Sequence, residues 1–123
     1  MTTALCERWG CPVQIHRPMP LVRVADNYDD LGYPSDGPAR EARYTRYVTG
    51  GTLLRTQTSA GIPPLLRALS PSPPDDLLLA APGLLYRRDV IDRHHIGEPH
   101  QIDLWRIRSE PCGPDDLVEM IDV

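Results

Sequence analysis

The chain has 123 residues, enough for one small domain with a single modest core. Its formal net charge is −4 and all 13 basic residues are arginine, so no basic block indicates nucleic-acid binding by itself. No apolar run is long enough to span a membrane and the start lacks a signal-peptide pattern, so we expect a cytoplasmic protein without membrane contact. Fourteen prolines predict a large share of loop.

The cysteines are three in number: Cys6, Cys11 and Cys112. No C-x-x-C spacing occurs, and we expect reduced thiols. A zinc site that joins them to His94, His95 or His100 is an alternative, but it lacks usable ligand spacing.

Short elements separated by turns are predicted for the first half of the chain. Leu5 to Trp9 predicts the end of a helix, and Gly10 to Val24 predicts short extended pieces because prolines interrupt it. Asn27 to Arg40 predicts a loop with an embedded turn, and a second turn is expected at Thr49 to Thr52, which holds two glycines.

Two short helices are predicted further on. One covers Ile62 to Leu69, with two prolines in its first turn and Thr58 or Ser59 as the cap. The other covers Leu117 to Val123, and an aspartate of the pair Asp115-Asp116 caps it.

A hairpin between residues 77 and 108 carries most of the candidate chemistry. Leu77 to Ala81 and Leu84 to Asp89 predict one strand, and His100 to Arg108 alternates as a returning strand. Period two places polar groups on one face, namely Arg87, Asp89, Gln101 and Asp103, while Ile102 and Leu104 fall on the other. By itself this pattern also fits an ordinary antiparallel hairpin with a solvated charged face.

The residue types, order and spacing of this hairpin match a known motif. The hairpin resembles motif 2 of class II aminoacyl-tRNA synthetases. The matching residues are A-P-G-L-L-Y-R-R-D at 81–89, then His95, H-Q at 100–101 and Asp103. The pattern is most similar to the alpha chain of phenylalanyl-tRNA synthetase, where it runs A-P-G-x-x-Y-R-x-D, T-H, F-H-Q-x-E-G.

Two further segments carry the same likeness. The motif 1 region resembles residues 27–40, which read N-Y-D-D-L-G-Y-P-S-D-G-P-A-R. Gly37 stands at the position of the family histidine, and Thr45 and Tyr47 continue the match. L-L-R-T-Q-T-S at 53–59 resembles the family segment L-L-R-T-H/Q-T-S.

The resemblance implies an α+β fold in which helices flank an antiparallel sheet. We expect residues 1–123 to form a single partial catalytic domain, with a motif 1-like region at 10–48, the L-L-R-T-Q-T-S segment and a helix at 53–69, and the motif 2 hairpin at 77–108. The expected partners are ATP, an amino acid with phenylalanine as the candidate, and a second copy or another synthetase-like chain. A tRNA is expected only if the missing regions are supplied.

The resemblance assigns roles around ATP and its Mg²⁺. Arg87 is the candidate catalytic residue and would hold the α-phosphate, because its planar fork suits phosphate oxygens. Asp89 would contact the adenine amine and His95 the outer phosphates. No residue is assigned to a metal.

Amino-acid contacts carry over from the same motifs. Gln57 and Ser59 match positions that hold the polar end of the substrate. Gln101 and Asp103 match the pair that faces the ammonium, and Tyr47 matches the aromatic beside it.

Some positions depart from the family pattern. Pro99 replaces the phenylalanine on which adenine stacks, and Leu104 replaces a glycine, so its side chain is expected to crowd the site. Motif 3 is absent, and Arg106 and Arg108 lie on the opposite face and do not replace its arginine. We therefore expect no catalysis by the isolated chain, and the alternative function is a non-catalytic synthetase relative that binds nucleotide or amino acid or acts as an interaction module.

Overall fold

Ten helices and strands make up the fold of the described residues. The computed structural model describes residues 1–69, 71–72, 74–88, 91–93 and 96–123. In order, the elements are α1 (Thr2–Trp9), β1 (Val13–Ile15), β2 (Leu21–Arg23), α2 (Val24–Asn27), β3 (Arg46–Thr49), β4 (Thr52–Leu54), α3 (Ile62–Leu69), β5 (Asp76–Leu84), β6 (His100–Arg108) and α4 (Pro114–Ile121). Short 3-10 turns lie at Asp29–Leu31, Pro38–Arg40 and Thr58–Gly61.

Two three-stranded sheets organise the described strands, which confirms the α+β class. The first has the order β1-β5-β6 and the second β2-β4-β3. β5 and β6 pair antiparallel from Asp76↔Arg108 to Leu84↔His100, which confirms the hairpin. The predicted continuation of the first strand through Arg87 is wrong, because β5 ends at Leu84 and Arg87 makes an isolated bridge with Thr45. The expectation of a wholly antiparallel sheet is corrected at β1, which pairs parallel to β5. The long stretch between them contains the second sheet and α3, and such a crossover permits parallel pairing.

The core lies on both faces of β5. Leu78 packs with Leu5 and Cys11 on one face, while Leu79 and Ala81 pack with Ile62 on the other. All five residues from Leu77 to Ala81 are buried, and full burial of each leucine contributes about 2 kcal/mol. This strand therefore holds the α1 side and the α3 side of the domain together.

Helix boundaries follow local signals. α1 ends where Gly10 takes a φ of 65° and its N–H donates to Cys6 O at 2.8 Å. α3 matches its predicted bounds, with Pro63 and Pro64 in the first turn. Of the two predicted caps, Thr58 or Ser59, the Thr58 alternative is wrong, because the Thr58 hydroxyl makes no hydrogen bond to any described residue.

α4 begins earlier than predicted, at Pro114. The N–H of Gly113 donates to Asp116 Oδ2 at 2.7 Å, so Asp116 satisfies the N-terminus from inside the helix. Asp116 also pairs with Arg106, which donates to Asp76 Oδ2 at 2.9 Å. The Arg106 guanidinium holds the pKa of the Asp76 carboxyl below its usual range. The ion pair between Arg106 on β6 and Asp116 on α4 fastens α4 to the sheet.

The three thiols are free, and burial raises the pKa of the Cys11 thiol. Within the described ranges, no group of three His, Cys, Asp or Glu residues is placed to hold a metal ion. In the same part of the chain, no helix is both long and apolar enough to cross a membrane.

Candidate active site

The segment after β4 is joined to the end of β5 by hydrogen bonds from two arginines and one backbone amide. Arg55 Nε donates to Leu84 O at 2.9 Å, and the N–H of Tyr86 donates back to Arg55 O at 3.0 Å. Arg87 Nε donates to Thr56 O at 2.9 Å. The L-L-R-T-Q-T-S segment and the residues after β5 that include Arg87 therefore form one wall.

A cleft of about 210 Å³, here called the tyrosine cleft, opens beside this wall. Its lining consists of Tyr28, Tyr33, Ala39, Tyr44, Thr56, Gln57 and Arg87. Arg87 is half-buried, and no hydrogen bond to a described residue occupies its two terminal nitrogens. A cation held by one nitrogen, with two others free of described partners, is suited to bind an anionic group.

Asn27 fixes the floor of the tyrosine cleft. It is fully buried, and its Nδ2 donates to Thr56 Oγ1 at 2.9 Å while its Oδ1 accepts from Thr56 N at 3.2 Å. Gln57 Nε2 donates to Asn27 O at 2.8 Å, and Tyr33 donates its hydroxyl to Gln57 Oε1 at 2.7 Å. Gln57 is thus held at both ends of its amide.

The tyrosines of the cleft are residues that the sequence did not indicate. Tyr28 is 1% exposed, and its hydroxyl lies 2.8 Å from Ala39 O and 2.5 Å from Thr45 Oγ1. The Tyr33 ring meets it edge-on, with centroids 5.4 Å apart, and Arg40 lies over its face. A usable signal existed, since Tyr28 is the first aromatic residue of the segment at 27–40 that resembles the motif 1 region.

Gln101 and Asp103 lie on β6 opposite Gly83 and Ala81. Gln101 Oε1 accepts from the N–H of Thr58 at 3.1 Å, which links β6 to the L-L-R-T-Q-T-S segment. Asp103 Oδ2 and Thr58 Oγ1 are buried and have no hydrogen-bond partner among the described residues. Such groups are uncommon in folded proteins and call for a functional explanation.

Comparison with known proteins decides the family. Residues 17–119 match the family described as tRNA synthetases class II core domain (F). The chain belongs to this family.

Curated relatives of this class II core include two phenylalanine–tRNA ligase alpha subunits. That of Prochlorococcus marinus strain MIT 9313 is 41% identical over 81 residues, which cover 66% of this chain and 23% of the relative. That of Lactiplantibacillus plantarum is 43% identical over 79 residues, covering 63% of this chain and 22% of the relative. The chain therefore spans less than a quarter of the length of these curated relatives.

Solved structures support the fold assignment. Pyrrolysyl-tRNA synthetase from Desulfitobacterium hafniense superposes with a TM-score of 0.64 over 83% of this chain and 35% of that chain, at 15% identity. At that identity the likeness concerns the class II fold alone.

The remaining predicted residues of this synthetase core lie apart from the tyrosine cleft or outside the described residues. Tyr47 is 42% exposed, donates its hydroxyl to Arg40 O at 2.6 Å, and lines a separate surface with Val24 and Val48. Ser59 lies in the 3-10 turn before α3. Asp89 and His95 fall outside the described residues, and their roles stay predictions.

The crowding expected from Leu104 is wrong. Leu104 lies opposite Ala80 and packs against the cluster of Leu5, Cys11 and Leu78, on the face turned away from Asp103. Because strand side chains alternate, a large residue at this position fills the core without entering the site.

Proposed function

We propose that this chain carries part of the active site of a phenylalanine–tRNA ligase, in which ATP activates the amino acid before its transfer to tRNA. The observation that best supports this proposal is the anchoring of Arg87, which lines the tyrosine cleft and donates from Nε to Thr56 O. The family assignment and the alpha-subunit relatives agree with it.

Arg87 acts in this proposal at the α-phosphate. Negative charge grows there as the amino-acid carboxylate attacks and pyrophosphate leaves, and a fixed guanidinium stabilises that charge without having to reorganise. The backbone bond to Thr56 sets the position of the side chain before ATP binds.

The amino acid would be bound by residues of β6 and of the L-L-R-T-Q-T-S segment. The buried oxygen of Asp103 would accept from the substrate ammonium, and Gln101 would support it from the same face of β6. Gln57 and Ser59 would bind polar atoms, and the aromatic walls of the tyrosine cleft suit a phenyl ring. The motif also assigns Tyr47 to the amino acid, but Tyr47 lines a separate surface with Val24 and Val48, so we do not include it in the proposed site.

The rest of the nucleotide is assigned by the motif. Asp89 would bind the adenine amine and His95 the outer phosphates. Mg²⁺ is mostly bound by phosphate oxygens and few carboxylates, and no described residue cluster forms a protein-only site for it. We therefore assign no residue of this chain to Mg²⁺ and derive no step through it.

Further partners are proposals of the same kind. A complete ligase of this type needs tRNA-binding regions, and the chain would pair with a second copy or another synthetase-like chain in the cytoplasm. The exposed strand β3, with Val48 54% exposed, offers one surface for such pairing.

Binding of ATP to the full 123-residue chain, measured by isothermal titration calorimetry, tests the proposal. We expect Arg87→Ala to weaken ATP binding at least tenfold, because the phosphate loses its fixed cation.

Arg88→Ala is the matched control, since Arg88 is exposed and donates to Ala42 O at 3.0 Å. It should change ATP affinity less than twofold. Equal losses in both variants would overturn the assignment of Arg87, because they would show only the loss of general positive charge.

A further inference from the structure

A second cleft of about 420 Å³, here called the reverse cleft, lies behind the end of β5. Its lining consists of Arg17, Pro20, Arg55, Pro82, Gly83, Leu84, Tyr86 and His100. By the two-residue period of the strands, Leu84 and His100 face away from Gln101 and Asp103. Gly83 shares the face of Gln101, but the reverse cleft has no lining residue in common with the tyrosine cleft.

Arg55 is the buried base of the reverse cleft. It is 4% exposed, and it donates from Nε to Leu84 O and from Nη1 to Pro18 O at 3.0 Å. Both partners are neutral carbonyls, and no carboxylate of the described residues pairs with it. Burial lowers the pKa of its guanidinium. Buried charges in proteins are normally paired with a charge of opposite sign.

The rest of the lining also contains basic side chains and, among the described residues, no acidic ones. Arg17 and His100 are exposed side chains of the same cleft, and no aspartate or glutamate occurs among the described residues that line it. Elsewhere the chain pairs its buried arginine with acids, as Arg106 shows with Asp76 and Asp116. The lack of acids is thus a local property of the reverse cleft.

Gly83 makes room for the Arg55 guanidinium at the base of the reverse cleft. A Cβ at this position would lie 1.9 Å from Arg55 Nη2, so only glycine leaves room for the guanidinium. Nη2 makes no hydrogen bond to a described residue, and it is the nitrogen left free to bind a ligand.

We propose that the reverse cleft binds a small phosphate-bearing anion. Arg55 would contact it from the buried base, and Arg17 and His100 would close around it from the rim. A small anion fits better than a nucleic-acid backbone, because the basic groups converge on one cleft of a chain whose net charge is −4. This proposal does not depend on the proposed ligase function.

Inorganic pyrophosphate is the probe, titrated calorimetrically into the 123-residue chain that carries Arg87→Ala. That background removes the phosphate contact of the ligase site. We expect saturable binding with one site to persist in it. Adding Arg17→Gln and His100→Gln together should then weaken binding at least tenfold, since both rim donors are lost.

Arg8→Gln is the matched control in the same background. It removes one positive charge from α1, where Arg8 pairs with Glu119 at 3.4 Å, and it should leave pyrophosphate affinity within twofold. Arg55→Lys should weaken binding, because lysine keeps the charge but lacks the planar fork. If Arg55→Lys does not fold, the rim variant still decides the question, because both of its side chains are exposed.

Chemical shifts locate the bound ion. In amide NMR spectra of the Arg87→Ala chain, pyrophosphate should shift the signals of Arg17, Gly83 and His100 more than those of Thr56 and Gln57. Loss of all pyrophosphate binding on Arg87→Ala, or equal affinity in the rim variant and its background, would overturn the proposal.

Discussion

Arg55 follows β4 and Arg87 follows β5, and each donates from Nε to a backbone carbonyl of the other segment. They differ in burial and in the number of nitrogens that have no described partner. Arg55 is 4% exposed and donates from a second nitrogen to Pro18 O, whereas Arg87 is half-buried, lines the tyrosine cleft and has two nitrogens without a described partner. The same residue type thus serves mainly the fold at one position and mainly a ligand at the other.

Replacement of each arginine by alanine should separate these roles most clearly. Arg55→Ala removes two hydrogen bonds from a charged donor, each worth on the order of 1.5–3 kcal/mol, while relief of the buried charge offsets part of the loss. We expect the free energy of unfolding to fall by about 3 kcal/mol for Arg55→Ala and by about 1 kcal/mol for Arg87→Ala. Urea denaturation followed by circular dichroism measures both.

The ligand effects should run in the opposite order at the proposed ligase site, because only Arg87 lines the tyrosine cleft. If Arg87→Ala destabilises the fold as much as Arg55→Ala does, the division between the two arginines is wrong. Arg87 would then be a structural residue as well.

Gly83→Ala should sharpen the same comparison with a smaller effect. The added Cβ would lie 1.9 Å from Arg55 Nη2, and the guanidinium cannot move away without breaking its two carbonyl bonds. We expect a loss of about 2 kcal/mol in the free energy of unfolding. In an Arg55→Ala background the same substitution should cost under about 0.5 kcal/mol, because the clashing group is gone.

Gly51→Ala provides the control for this cycle, since its Cβ would meet nothing within 4 Å. An additive result, with Gly83→Ala equally harmful in both backgrounds, would show that the glycine is needed for some reason other than Arg55.

Local patterns predicted the parts of the fold that depend on local chemistry. The β5–β6 pairing followed from alternation and α3 from its two prolines, and β6 and α3 occur at the predicted residues, whereas β5 ends at Leu84, before Arg87. The parallel β1–β5 pair was not predicted, because β1 has three residues and its partner lies far along the chain. Pairing of that kind depends on contacts across the whole domain, which periodicity does not contain.

Motif resemblance predicted part of the site in the same uneven way. Arg87 and Gln57 lie together in the tyrosine cleft, but the role of Asn27 in holding Gln57 was not foreseen. Its side chain reaches across to Thr56 through the fold, and the sequence gives no sign of that contact. The burial of Arg55 was likewise not predicted from the segment L-L-R-T-Q-T-S, because the tertiary structure determines it.

The smallest effect is expected for a substitution of Thr58. The prediction of its effect on ligand binding rests on the proposed ligase function. Its hydroxyl is buried and has no partner among the described residues, so it gives the fold little. Thr58→Val keeps the shape and removes an unpaired polar group, and we expect the free energy of unfolding to rise by up to about 1 kcal/mol. Phenylalanine and ATP should bind more weakly in calorimetry if the hydroxyl contacts a ligand.

Thr45→Val is the matched comparison, because Thr45 is also buried but donates to Ala39 O at 2.9 Å. Loss of this hydrogen bond should lower the free energy of unfolding by about 1 kcal/mol. Equal destabilisation by both variants would show that the Thr58 hydroxyl is bonded within the fold and is not kept for a ligand.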